Sequence, residues 1–491
     1  MVTWSCRTWP LLGLAIVVGA AAGCDRKKNP QPTPPASAPT APATSASVTA
    51  AEPDLPAGDA GAGASAKPKP DLATWLRANV PAGGSVEGSP PVVMHTVGAG
   101  ETFAAIAAKY LAITDVLKVG DLELRINRKN AGKLIAGSKI EIPDVVREPL
   151  PATPIEGRLG WPEDRSLRGV FMAGWCAAKN WVETLDKLAE RGMNAVVLDS
   201  KDYMGPVTYP SKVQLANDIK ATAKPDFPDL AREIRFAHQR GIHVILRIPC
   251  FHDPWAAKRA PRLSLKSPVT GAPVSNFGWL DPTNVEAQDY AIALAKEGIE
   301  AGADEIQLDY VRFPVHITGA AAKMPAKKDR SAVIRDFVKR VHDVTKPAGV
   351  MLSLDLFGVA ATGERDDIES LGQDIAIVSG EAEAISPMVY PSHYSRGYKG
   401  FKEPGNHPEI IGIGTKAALE QLDKGGVKGT VVRSWLQAFP WRAPIYGPKY
   451  VFDQAQQAET HGGKGWLMWS ANCDYRAVWA GFPKKASAKA P

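Results

Sequence analysis

The sequence has no glycine-rich phosphate-binding loop, so nothing in it marks a nucleotide site. Its histidines and carboxylates never fall at compact ligand spacing. His252 and Asp253 are neighbours and His393 stands alone, so neither a metal centre nor a cofactor is expected. Ser200, Ser353 and Ser470 lack the surroundings of a strained nucleophile turn, which leaves a Ser-His-Asp hydrolase without a motif. The formal net charge is +6, but no dense stripe of basic and aromatic residues runs through the chain, and no specific nucleic-acid partner is expected. Cysteine is scarce, with five in 491 residues. Long apolar runs are scarcer: residues 11–22 are too few to cross about 30 Å of hydrocarbon as a stable anchor.

What is present begins at that run. Arg7 precedes it, and the small residues Ala21, Ala22 and Gly23 lead to Cys24. The stretch resembles the lipobox of bacterial lipoproteins, which implies that residues 1–23 are a signal peptide and that Cys24 is acylated and becomes the first residue. Removal of the signal leaves 468 residues with a net charge of +5. The expected location is the bacterial cell envelope, lipid-anchored and facing the periplasm. Asp25 resembles the inner-membrane retention mark of enteric bacteria, but the choice of membrane stays open. From 31 to 50, eighteen of twenty residues are Pro, Ala, Ser or Thr. Such a segment buries too little apolar surface to offset its ordering, so residues 24–70 read as a flexible tether, followed by a lead-in segment at 71–93.

Residues 94–143 change to compact alternation. A strand is expected at 94–97, then a helix carrying Phe103, Ile106, Ala107 and Tyr110 at helical spacing, a second helix around 122–127, and a closing strand at 139–142. The motifs "HTVGAGETFAAIAAKY", "INRKN" and "LIAGSKIEIP" resemble a LysM domain. The resemblance implies a βααβ fold and binding of glycans that contain N-acetylglucosamine. The irregular stretch "LAITDVLKVGDLELR" departs from its usual compact turn, so no single sugar contact is assigned.

After a linker at 144–166, residues 167–483 alternate short apolar runs with amphipathic ones, and 484–491 form a tail. Strands are expected at 169–175, 195–199, 243–248, 305–313, 350–357, 384–390, 429–436 and 465–470. Helices are expected at 181–191, 230–240, 285–301, 332–344 and 453–461. Eight strand-helix units in about 300 residues are the size of a (β/α)8 TIM barrel, an α/β fold; a doubly wound open sheet is the alternative. Several helices end in glycine just before a strand, as in "AERGMNAVVLD", which sets the opposite strand ends as the site of chemistry. Polar residues gather there, and lone charges are too costly to serve as packing inside an apolar barrel.

Asp309 leads, because "EIQLDYVRFP" places it at the carboxyl end of its strand. Asp355 in "MLSLDLFG" stands at the same height on the next strand, and Asp199 in "VVLDSKD" is a third carboxylate. Paired carboxylates on a glycosidic bond divide the work: one keeps a proton for the leaving oxygen, the other is ionised to attack or to activate water. Salt bridges from Asp309 to an arginine, and from Asp199 to Lys201 or Arg247, are the structural alternatives. Arg247, Arg312 and Arg433 are candidates for binding polar sugar groups, or for holding an acid in place. Tyr390, His393, Trp175, Trp435 and Trp469 offer rings or polar tips to sugar.

The barrel segment also resembles a family of glycoside hydrolase-like barrels of unknown specificity, on "RGVFMAG", "LDSKD", "QLDYVRFP", "SLDLFG", "ISPMVYPSHY" and "VVRSWLQAF". That resemblance implies a sugar-cleaving barrel with Asp309 as its leading carboxylate. The family's usual aspartate before the sixth strand is missing; either Glu381 or Glu383 compensates or the position is unimportant. Cys176 and Cys473 follow the first and eighth strands, which are neighbours in a closed barrel, so a disulfide is expected between them and Cys250 is left over. Three functions stay open: a hydrolase of cell-wall or extracellular amino-sugar polysaccharide, a noncatalytic glycan-binding or envelope-organising lipoprotein, and a deacetylase or peptide hydrolase. Expected partners are that glycan and, through the lipid, the membrane; the oligomeric state is open.

Overall fold

The runs "AVVLD" and "HVILRIP" are apolar on both faces, the mark of parallel strands covered by helices on one side and by barrel contents on the other. In the computed structural model, which describes residues 70–484 except 316, 318 and 319, both are strands with every residue buried. The expected export signal, Cys24, nearly all of the expected tether and residues 485–491 lie outside the described residues.

A three-stranded antiparallel sheet comes first: β1 (Gly84–Glu87), β2 (Val92–Thr96) and β3 (Lys139–Glu141), with β2 in the middle. Helices Phe103–Tyr110 and Val119–Lys129 lie between β2 and β3. Ile106, Ala107, Tyr110, Leu122, Ile126 and Ile140 share a small core with Leu76 and Val93. The Thr102 side chain caps the first of these helices by accepting from the Ala105 backbone N–H at 3.1 Å. His95 is buried between the Tyr110 hydroxyl at 2.9 Å and the Glu101 carboxylate at 2.7 Å. The lead-in at 71–93 is more ordered than its sequence suggests, since it supplies helix Leu72–Asn79 as well as β1.

Eight strand positions then close a parallel barrel: β4 (Leu167–Met172), β5 (Ala195–Asp199), β6 (His243–Pro249), β7 (Glu305–Asp309), β8 (Met351–Phe357), β9 (Ala384–Met388), the split pair β10 (Val431–Val432) and β11 (Trp435–Gln437), and β12 (Gly465–Trp469). β12 pairs with β4, which completes the ring and excludes the open sheet. Helices Gly174–Glu190, Leu230–His238, Val285–Glu300, Lys327–Thr345, Glu409–Lys424 and Pro448–Thr460 belong to the outer layer. The strand expected at 305–313 runs too long at its carboxyl end, because β7 stops at Asp309 and Tyr310 adopts a positive φ of 48°. Seam closure depends on glycine. A Cβ on Gly169 would sit 2.2 Å from the Ala195 carbonyl oxygen, and one on Gly465 would sit 1.9 Å from that of Leu167.

The linker is not free. Arg158 donates to the Ala348 carbonyl at 2.7 Å, and the Leu159 N–H donates to Asp304 at 2.8 Å, so the segment lies across the amino-terminal end of the barrel. The small module also touches the barrel. Arg232 donates to the carbonyls of Thr114, Val116 and Leu117, and Arg235 to those of Ala112 and Thr114.

Candidate active site

The strand register sets the height of each acid. Asp199 lies opposite Arg247, and Asp309 opposite Pro249, so three neighbouring strands deliver their polar side chains to the carboxyl end. Arg247 is the hub. It donates through Nη1 to Asp199 at 2.5 Å, through Nη2 to Asp309 at 2.5 Å and through Nε to the same Asp309 oxygen at 3.0 Å. Asp355 Oδ2 is 3.6 Å from Nε. Of its two roles, Arg247 thus holds acids in place, and its guanidinium also lies over the Phe171 ring at 5.3 Å.

Three carboxylates around one cation cannot all be charged at low cost. Burial, only partly offset by Arg247, lifts Asp199 to about 7. Burial and the Asp309 charge push Asp355 well above the carboxylate range. Burial alone would lower Arg247, but the three aspartates outweigh it and hold the guanidinium well above its ordinary value. Arg247 pairs with both Asp199 and Asp309, while burial favours the protonated form of Asp199 and Asp355, the form that can give a proton to a leaving oxygen.

Trp435 is not a sugar platform. It is buried, its indole N–H donates to Asp355 Oδ1 at 2.6 Å, and its ring meets Phe171 edge-on. An indole nitrogen only donates, so Oδ1 acts as the acceptor. The remaining oxygen, Oδ2, has no hydrogen-bond partner. Arg433, like Arg247, takes the second of its two expected roles and holds an acid. It has 0% exposure and binds Glu305, likewise at 0%, inside the barrel. Burial would raise Glu305, but Arg433 and His243 outweigh it and bring it down to about 2. Charge can thus serve as barrel packing when it is paired. Arg312 is buried too, with its guanidinium over Phe357 at 3.9 Å and over Trp279 at 4.8 Å. Its N–H bond goes to the Phe313 carbonyl, not to an acid. Glu381 and Glu383 lie just before β9, at the amino end of the barrel and away from the mouth, and contact His342 at 2.9 and 3.4 Å.

Tyr390, His393 and Trp469 do come together, and they bring two rings that the sequence reading passed over. Tyr390 packs on Trp469 at 5.7 Å, Trp469 on Phe439 at 5.3 Å, and His393 on Trp441 at 5.2 Å. Gln437 holds this bank by donating to the carbonyls of Phe439 and Trp441 and accepting from the Ser392 N–H. The run "QAFPW" directly after the seventh strand was the available signal. A second bank stands on the loops after β5, β6 and β7. His252 stacks on Tyr310 at 4.9 Å and on Tyr203 at 6.1 Å, and meets Trp279 edge-on at 5.2 Å. Burial, helped by Arg442, lowers His393 to about 4, so this ring is neutral at ordinary pH.

Cys176 and Cys473 are joined beside the mouth with Cα atoms 6.4 Å apart, inside the bridging range, and Cys250 is a free, buried thiol. Among the described residues no group of three or more His, Cys, Asp or Glu side chains is placed to hold a metal ion.

Residues 169–475 match a family described as "Putative glycosyl hydrolase domain", and the chain belongs to that family. A comparison with curated proteins gives no match. Solved structures are similar at several levels. A hypothetical protein from Ruminiclostridium thermocellum is 32% identical over 38% of this chain and 96% of its own, with a TM-score of 0.34. The PgaB (BpsB) glycoside hydrolase domain from Bordetella bronchiseptica is 13% identical over 65% of this chain and 100% of its own, with a TM-score of 0.47. The spore cortex-lytic enzyme SleL from Bacillus megaterium is 11% identical over 80% and 87%, with a TM-score of 0.39.

Proposed function

We propose that this protein hydrolyses glycosidic bonds in a cell-wall or extracellular amino-sugar polysaccharide while anchored to the cell envelope through Cys24. The observation that carries the reading is the aspartate cluster on Arg247, at the carboxyl end of a barrel of the glycosyl hydrolase type. Asp309 attacks the anomeric carbon or activates water. Asp355 or Asp199 supplies the proton to the leaving oxygen. Trp435 fixes the Asp355 carboxyl, and Arg247 fixes the other two. Support for the remaining parts comes from the sequence: the lipobox-like start for the anchor, and the LysM-like motifs at 94–143 for a second glycan contact.

The test is a product-resolved assay. Mature protein is incubated with a panel of wall glycans and exopolysaccharides, and new reducing ends and product masses are measured. Turnover that falls at least a thousandfold in Asp309→Asn, with the fold retained, supports the assignment. Equal product from wild type and Asp309→Asn removes it. Release of acetate or peptide from glycan of unchanged length moves the protein to the deacetylase or peptide hydrolase class instead.

A further inference from the structure

We infer that the mouth binds a β-linked pyranose polymer lengthwise, from the loops after β5–β7 to those after β9–β12, so that sugar units lie on both sides of the acids and the bond cut is internal. The cutting part rests on the hydrolytic reading above; the binding part stands without it. Around a ring of eight strand positions, β6 and the β10–β11 pair face each other. Each is the centre of one aromatic bank, with Tyr203 and His252 on one side and Phe439 and Trp441 on the other. Asp199, Arg247 and Asp309 end the strands beneath the first bank, and Asp355 reaches across to Trp435 on β11, beneath the second.

Two features separate these rings from ordinary packing. The outermost ring of each bank reaches solvent: Tyr203 is 47% and Trp441 46% exposed, with the Arg442 guanidinium 5.2 Å from the Trp441 ring centre. Both banks are also fixed from behind. Gln437 staples the Phe439–Trp441 turn, while His252 shares a hydrogen bond of 2.9 Å with the Tyr203 carbonyl. Rings held in place before a ligand arrives lose little freedom on binding. The ligand that suits flat, exposed rings on opposite rims is one with apolar faces repeated along an extended chain. Equatorially linked pyranoses have that form, since their axial C–H bonds make each face apolar. A pocket for a chain end would instead need one bank to be a wall.

The experiment uses the mature chain carrying Asp309→Asn, so that binding is read without turnover. Six-unit and two-unit oligomers of β-linked N-acetylglucosamine, glucose and mannose are titrated by calorimetry. At least one six-unit oligomer is expected to bind ten times more tightly than its two-unit form. Trp441→Ala and Tyr203→Ala should each weaken that binding roughly tenfold, and Trp441→Phe should restore most of it. The inference is overturned if no six-unit oligomer binds, if length makes no difference, or if only one of the two banks matters. Binding across both banks with no new reducing ends from the wild type would sink the hydrolytic reading and leave this one. Turnover that releases only terminal units would do the reverse.

Discussion

Without the Arg247 guanidinium, Asp199 and Asp309 would be buried acids with no cation in contact, because each takes its short ion-pair contact from that one group. Breaking a buried pair from one side costs about 3–5 kcal/mol. Arg247→Met is expected to lower stability by that order at pH 8 and by less at pH 5, where the orphaned carboxyls can take up protons; urea unfolding at both values checks it. Asp199 gives a second pH signature. Its carboxyl rises from 3.8 to about 7 on folding, so between those values the native state binds more protons than the unfolded one. Its contribution to stability is therefore complete below about pH 4 and is lost as pH climbs through 7. Asp199→Asn should flatten that decline, and a slope in the urea midpoint identical to wild type between pH 5 and 8 would assign the decline elsewhere.

At the level of elements, the seam between β12, β4 and β5 has little room. Gly465 has a φ of 81° and its backbone lies against Leu167, so an added methyl meets both a strained dihedral and a carbonyl. Gly465→Ala should cost more than the roughly 1–3 kcal/mol typical of overpacking, visible as a lower thermal midpoint. The barrel itself was readable because eight apolar runs recur with helices between them, and Asp199, Asp309 and Asp355 end such runs. Helix Glu409–Lys424 was passed over, since its "EIIGIGTKAALEQL" carries two glycines and weak periodicity. Strand β1, with the sequence "GSVE", has one apolar residue and no pattern to detect. Arg433 lies below the mouth, on Glu305, because spacing reports height along a strand only loosely when the strand is broken, as it is between Val432 and Trp435. The link between Trp435 and Asp355 joins residues 80 apart in sequence, and no local pattern encodes it.

Across the whole molecule, the small module and the barrel are joined by more than the chain between them. The Arg232 and Arg235 guanidiniums on helix Leu230–His238 satisfy backbone carbonyls of residues 112–117, and Gln239 adds a bond to Asp115 at 2.8 Å. Burial lowers Arg232 to about 10, still charged at neutral pH. Arg232→Ala would leave the Val116 and Leu117 carbonyls without this partner, at about 1–3 kcal/mol for a buried acceptor. The expected outcome is faster amide exchange at 111–119 with the barrel strands unchanged; equal exchange in both proteins would show that the contact does not hold the module.

The Cys176–Cys473 bond ties together residues 297 positions apart, just after the first and last strands of the ring. Mechanically, tension entering at one end of the chain and leaving at the other would pass through that covalent link and bypass almost all of the barrel. Pulled in this way, the protein could lengthen only by its outer segments until the bond is reduced, so the arrangement of the acids would be insulated from load on the chain.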